Sequence, residues 1–126
     1  TLFVIHCVEL VNMVMMGMGP GGAFVDPNIF TSTNDALKAR GVRLCQAYKD
    51  ISDKKEVSNV QVKVLAAHSP KEAAVEFARD NAVDLLFCGT RGLGAVKRFF
   101  LGSFSTYLIN HVDCDVMLIK QESKEP

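Results

Sequence analysis

The chain lacks net charge, a membrane-length apolar run and any closely spaced pair of cysteines. Its 126 residues hold 14 Lys and Arg against 14 Asp and Glu, so no global field draws it to nucleic acid or to an anionic membrane, and any anion site must be local. No apolar run reaches the ~18 residues that a membrane span needs. The opening TLFVIHCV has neither a basic n-region nor a small-residue cleavage site. Cys7, Cys45, Cys88 and Cys114 form no C-x-x-C pair, a usage expected of small core residues in a reducing compartment. These absences favour a soluble cytoplasmic protein without nucleic-acid or membrane partners. With 48% apolar and 22% charged residues, the composition suits one compact domain over residues 1–126.

Along the chain, the apolar, β-branched run Thr1 to Val8 predicts a buried parallel strand. The segment MVMMGMGPGGAFVDPN, with Gly17, Gly19, Pro20, Gly21, Gly22 and Pro27, predicts a long loop. From Thr31 to about Asp53, the spacing of Leu37, Gly41, Leu44, Tyr48 and Ile51 predicts an amphipathic helix with that face inward. VQVKVLAA alternates as a half-exposed strand does. Ser69, Pro70 and Glu72 then open a second helix whose inner face is Ala74, Phe77, Ala78 and Ala82. VDLLFCG predicts another buried strand, Ser103 begins a third helix, and DVMLIK closes the chain as a strand. This alternation means an α/β fold with a parallel, Rossmann-like sheet and helices on both faces. Ligands of such sheets bind beyond the carboxyl ends of the strands, and Gly89 stands at one of those ends.

The stretch GTRGLGAVKRFFLGSFS, Gly89 to Ser105, has four glycines and no acidic residue. A Walker P-loop would need lysine directly after the second glycine, where this chain has Ala95. A dinucleotide fingerprint would need G-x-G-x-x-G opening a helix, and Gly92-Leu-Gly94 is followed by Ala95, Val96 and Lys97. What remains is Gly89, two residues, Gly92, nine residues, then Gly102 and Ser103 at a helix entry. The first turn of a helix offers unpaired N–H groups and about half a positive charge, and a preceding glycine lets phosphate approach the backbone. Ser103 and Ser105 add hydroxyl donors.

These residues resemble the G-x2-G-x9-G-[ST] signature of the universal stress protein family. The likeness extends through SPKEAAVEFARDNAVDLLFCGTRG and TLFVIHCVEL. The resemblance implies an adenine-nucleotide-binding α/β domain that binds ATP, or ADP or AMP, with or without Mg2+, and a homodimer pairing through strand 115–120. It implies that Gly89 and Gly92 adjoin ribose and phosphate, that Gly102, Ser103 and Ser105 hold phosphates, with Phe104 in the same turn, and that Cys88 and Cys7 lie near the base. Family members begin with a further strand, of the type ILVAVDGS, and a long helix ahead of the segment matched by TLFVIHCVEL. The chain is therefore expected to be part of a longer domain, with a gap in the sheet between its first and third strands.

Other readings stay open beside these. Arg91, Lys97 and Arg98 contact phosphate or only solvate the loop. His6 reads as a packed core histidine and His68 as a solvent-facing one, while His111 and Cys114 are two ligands short of a zinc site. The methionines at 13, 15, 16 and 18 cover the base or form a partner surface. The glycine stretch has no carboxylate to place metal or attacking water, so a binding, regulatory module is expected ahead of a slow ATP hydrolase or a nucleotide-independent dimeric scaffold.

Overall fold

The computed structural model describes residues 1–12, 26–90 and 101–120. The expectations for the methionine loop and for residues 91–100 lie outside them. The elements alternate as β1 (Leu2–Glu9), α1 (Pro27–Lys54), β2 (Val60–Ala67), α2 (Pro70–Asp80), β3 (Leu85–Gly89), α3 (Ser103–His111) and β4 (Asp115–Ile119). The fold is α/β with parallel strand pairing, as the alternation predicts. The strands make two sheets: β1 pairs with β2, and β3 with β4. The chain divides into two compact units, Thr1–Ala73 and Ala74–Pro126. No helix among the described residues is long and apolar enough to cross a membrane.

In the first unit, β1 and β2 run in register from Leu2 opposite Val60 to Glu9 opposite Ala67. Side chains alternate between faces, so His6, Val8 and Val64 share the face beneath α1. The helix comes close there because residue 41 has no side chain. A Cβ on Gly41 would meet His6 Cδ2 at 3.0 Å, Val64 Cγ1 at 3.1 Å and Val8 Cγ2 at 3.2 Å. One turn later Cys45, 3% exposed, directs its Sγ to the Lys63 carbonyl at 3.7 Å. The inward ridge therefore runs through Gly41 and Cys45. Leu44, Tyr48 and Ile51, expected to face inward, are 41, 51 and 48% exposed. The small residues, rather than the large apolar ones, mark the contact with the sheet.

The start of α1 also differs from expectation. Asp26 caps it, its side chain accepting the Asn28 N–H at 2.9 Å, with Pro27 in the first turn. Proline fits there because its missing N–H would have no intrahelical partner. The helix thus begins four residues before Thr31. An ion pair between Lys49 and Asp53 and a Gln46–Asp50 hydrogen bond brace its exposed side.

Helix α2 ends in a Schellman turn. The Val83 N–H donates to the Ala78 carbonyl at 2.9 Å and the Ala82 N–H to that of Arg79 at 3.1 Å. This geometry puts Ala82 in the left-handed region, at φ 47°, a position usually given to glycine. Ala82 accordingly lies outside the helix and is exposed, whereas Ala74 and Ala78 are buried as expected.

In the second unit, β3 and β4 pair from Leu85 opposite Asp115 to Gly89 opposite Ile119. The Thr90 N–H extends the ladder to the Ile119 carbonyl at 3.1 Å. Ser105 and Leu108 of α3 are buried, 4 and 2% exposed. At the far end of α3, the rings of Tyr107 and His111 stack with centroids 3.8 Å apart.

Candidate functional site

Of the described residues expected to bind nucleotide, all but Cys7 fall at the carboxyl end of β3 or in the first turn of α3. Gly102 is the N-cap residue and supplies no side-chain hydrogen bond. The first intrahelical bond runs from the Thr106 N–H to the Gly102 carbonyl at 3.0 Å, and the Thr106 hydroxyl donates to the same carbonyl at 3.0 Å. The amides of Ser103, Phe104 and Ser105 therefore lie ahead of the helical ladder, where a helix presents donors and positive potential.

Gly102 is not required by its own backbone. Its φ of −62° and ψ of 156° suit any residue, and among the described residues the nearest atom to a Cβ built there is Ser105 Oγ, 3.9 Å away. Among the described residues, neither strain nor packing calls for glycine at this position. A helix end of this kind suits an oxyanion held against its first-turn amides.

The two serines of the turn are placed differently. Ser103 is exposed. Ser105 is buried, and its hydroxyl donates to the Gly89 carbonyl at 3.1 Å. The structure thus brings Gly89, Gly102, Ser103, Phe104 and Ser105 to one end of the second unit, with Cys88 next to Gly89 on β3. Burial raises the Cys88 thiol above its ordinary value. Gly92 and Arg91 lie outside the described residues. Cys7 belongs to the first unit, on the β1 face away from Gly41 and opposite Leu65. Burial first, and then the neighbouring Cys45, push its thiol from 9.0 to about 11. Burial also raises Cys45, opposed by a hydrogen bond with the His6 backbone.

The carboxyl end of β1 has its own fastening, which sequence reasoning missed. The Val11 N–H donates to Asn34 Oδ1 at 2.9 Å, and Asn34 Nδ2 donates to the Val11 carbonyl at 3.2 Å. His68 Nδ1 lies 3.2 Å from the Leu10 carbonyl, so the ring is tied to β1 although exposed. The available signal was spacing: Asn34 precedes Gly41 by seven residues, two helical turns along the inward ridge.

A cleft of about 510 Å³ lies at the other end of the second unit, lined by Val75, Ala78 and Arg79 of α2, Asp84, Val112 and Asp115, among others. It is at the amino ends of β3 and β4 and includes none of the expected nucleotide-binding residues. Among the described residues no cluster of three or more His, Cys, Asp or Glu could hold a metal ion.

Comparison with known proteins bears on this arrangement. A protein of Staphylococcus haemolyticus named as a universal stress protein is 38% identical over 80 residues, 63% of this chain and 48% of its own length. One of Staphylococcus saprophyticus is 39% identical over 80 residues, covering 63% of this chain and 47% of the relative. The chain thus spans about half the length of these relatives. Among solved structures, universal stress protein UspA from Lactobacillus plantarum superposes with a TM-score of 0.73 at 19% identity, over 94% of this chain and 76% of that one. A universal stress protein family protein from Arabidopsis thaliana, with AMP bound, gives 0.64 at 20% identity, over 96% of this chain and 65% of that one. These likenesses establish a shared fold. The profile of the universal stress protein family matches residues 24–120, from before α1 to the end of β4, and the chain belongs to that family.

Proposed function

We propose that the protein is an adenine-nucleotide-binding regulatory module, with ATP as its ligand. The observation that carries this reading is the glycine at the N-cap of α3, which neither its backbone conformation nor its packing against the described residues requires. Phosphate oxygens accept hydrogen bonds from the Ser103 and Phe104 amides and the Ser103 hydroxyl, in the positive field of the helix end. Gly89 lets ribose or α-phosphate lie against the end of β3. Cys88, next to Gly89 on β3, lies on the base side. The AMP bound to the Arabidopsis thaliana relative supports the ligand class.

Calorimetric titration with ATP, AMP and adenosine, with and without Mg2+, tests the reading directly. ATP should bind more tightly than adenosine. Equal affinities would remove the phosphate cradle, and a complete absence of binding would remove the function.

Regulation in this proposal acts through a dimer formed by β4. Met117 and Ile119 are 47 and 49% exposed on that strand, and an apolar edge strand is a template for pairing with a second copy. Light scattering of a Met117→Lys, Ile119→Glu variant checks this assembly: monomeric or insoluble protein supports it, and an unchanged soluble dimer moves the interface elsewhere.

A further inference from the structure

Among the described residues, Ser105 is the one buried polar side chain, 4% exposed. Its hydroxyl donates to the carbonyl of Gly89, sixteen residues earlier, at 3.1 Å. That carbonyl is the last of β3. A serine has one O–H to donate, and here a backbone acceptor takes it. Gly102 ahead of it has no side chain with which to cap the helix, so the Ser105–Gly89 bond links the first turn of α3 to the end of the strand.

We infer that Ser105 is a positioning residue for the nucleotide site rather than a phosphate ligand: its hydroxyl pins the first turn of α3 to the carboxyl end of β3 and so aims the Ser103 and Phe104 amides. This assignment rests on the nucleotide-binding reading of the same site. Phosphate contact falls to the amides and to the exposed Ser103. A pin differs from a ligand in its consequences. Removing a ligand weakens binding in proportion to the phosphate contacts it made. Removing the pin leaves the Gly89 carbonyl without its partner and loosens the turn whether or not a nucleotide is present, so every phosphate-bearing ligand loses by the same factor.

The test compares the full chain with Ser105→Ala, Ser105→Thr and Ser103→Ala. Ser105→Ala should weaken AMP, ADP and ATP by a common factor of about 3 to 10, the range for one hydrogen bond. In nucleotide-free protein it should also speed amide hydrogen exchange in the first turns of α3 while leaving β1 and β2 unchanged. Ser105→Thr, which keeps the hydroxyl, should restore both. Ser103→Ala should weaken ATP more than AMP and leave exchange in the free protein unaltered. If Ser105→Ala leaves exchange in α3 unchanged and weakens ATP more than AMP, the serine is a direct ligand and the inference is overturned. Wild-type protein that binds none of the three nucleotides would sink the functional reading, whereas the exchange comparison would still show whether the pin exists.

Discussion

Asn34 closes both backbone groups of Val11. Its Oδ1 accepts the Val11 N–H and its Nδ2 donates to the Val11 carbonyl, at 2.9 and 3.2 Å. A primary amide presents a donor and an acceptor side by side, as a neighbouring strand would, so α1 continues the pairing of β1 beyond its last ladder residue. Asn34→Ala should cost about 1 to 3 kcal/mol, the sum expected for two part-buried hydrogen bonds. Urea unfolding measures the loss. Asn34→Asp keeps the acceptor but loses the donor facing the Val11 carbonyl, and should be no more stable than Asn34→Ala.

Gly41 limits the approach of α1 to its sheet. With neighbours 3.0 to 3.2 Å from a built Cβ, Gly41→Ala gains helix propensity of roughly 1 kcal/mol but meets His6, Val8 and Val64 side chains that must move. Overpacking of this kind costs about 1 to 3 kcal/mol, so a lower melting temperature is expected. A higher one would mean that the helix shifts outward at little cost.

Gly102→Val should separate stability from binding. The residue has an ordinary φ and no close neighbour among the described residues, so unfolding free energy should change by about 1 kcal/mol or less. Nucleotide binding should be lost because the side chain fills the phosphate approach. A folded variant that titrates ATP as wild type does would remove phosphate from this helix end.

Alkali should act through Cys7. In the unfolded chain its thiol ionises at the ordinary value of 9.0, and in the folded protein at about 11, chiefly through burial. Between those values the unfolded state releases a proton that the folded state retains, so stability falls as pH rises through the window. The contribution is fully present below pH 9. Urea midpoints at pH 8.5 and 10.5 should differ more for wild type than for Cys7→Ala. Identical differences would place the alkaline sensitivity in another group.

Ala82→Gly should stabilise. A non-glycine residue in the left-handed region costs about 1 to 2 kcal/mol, and glycine returns part of that as unfolded-state entropy. A gain of about 0.5 to 1 kcal/mol in calorimetric unfolding is expected, and a loss would mean that the alanine methyl packs at the end of α2.

Periodicity marks the strands and most of the helices. VQVKVLAA coincides with β2, and α3 begins at Ser103 as the glycine ahead of it suggested. Pro27 follows a glycine-rich sequence that signals a loop, yet beside Asp26 it opens α1. The inward face of α1 was misread because Leu44, Tyr48 and Ile51 carry the apolar area. Contact distance follows side-chain size as well as hydrophobicity, and Gly41 and Cys45 allow the closest approach. At the site, spacing located the glycines and serines but not where Ser105 points. Its acceptor is a backbone carbonyl on another element, and backbone carbonyls leave no mark in residue type.

The register of the two strand pairs also sets an order in time. Leu2 pairs with Val60, whereas Leu85 pairs with Asp115. During synthesis at about 5 to 20 residues per second, β1 waits roughly 3 to 12 s for its partner, and β3 about half as long. An eight-residue strand whose only acidic residue is Glu9 thus spends the longer interval without its β2 ladder. Holdase chaperones that bind extended apolar segments have that interval in which to engage the nascent chain.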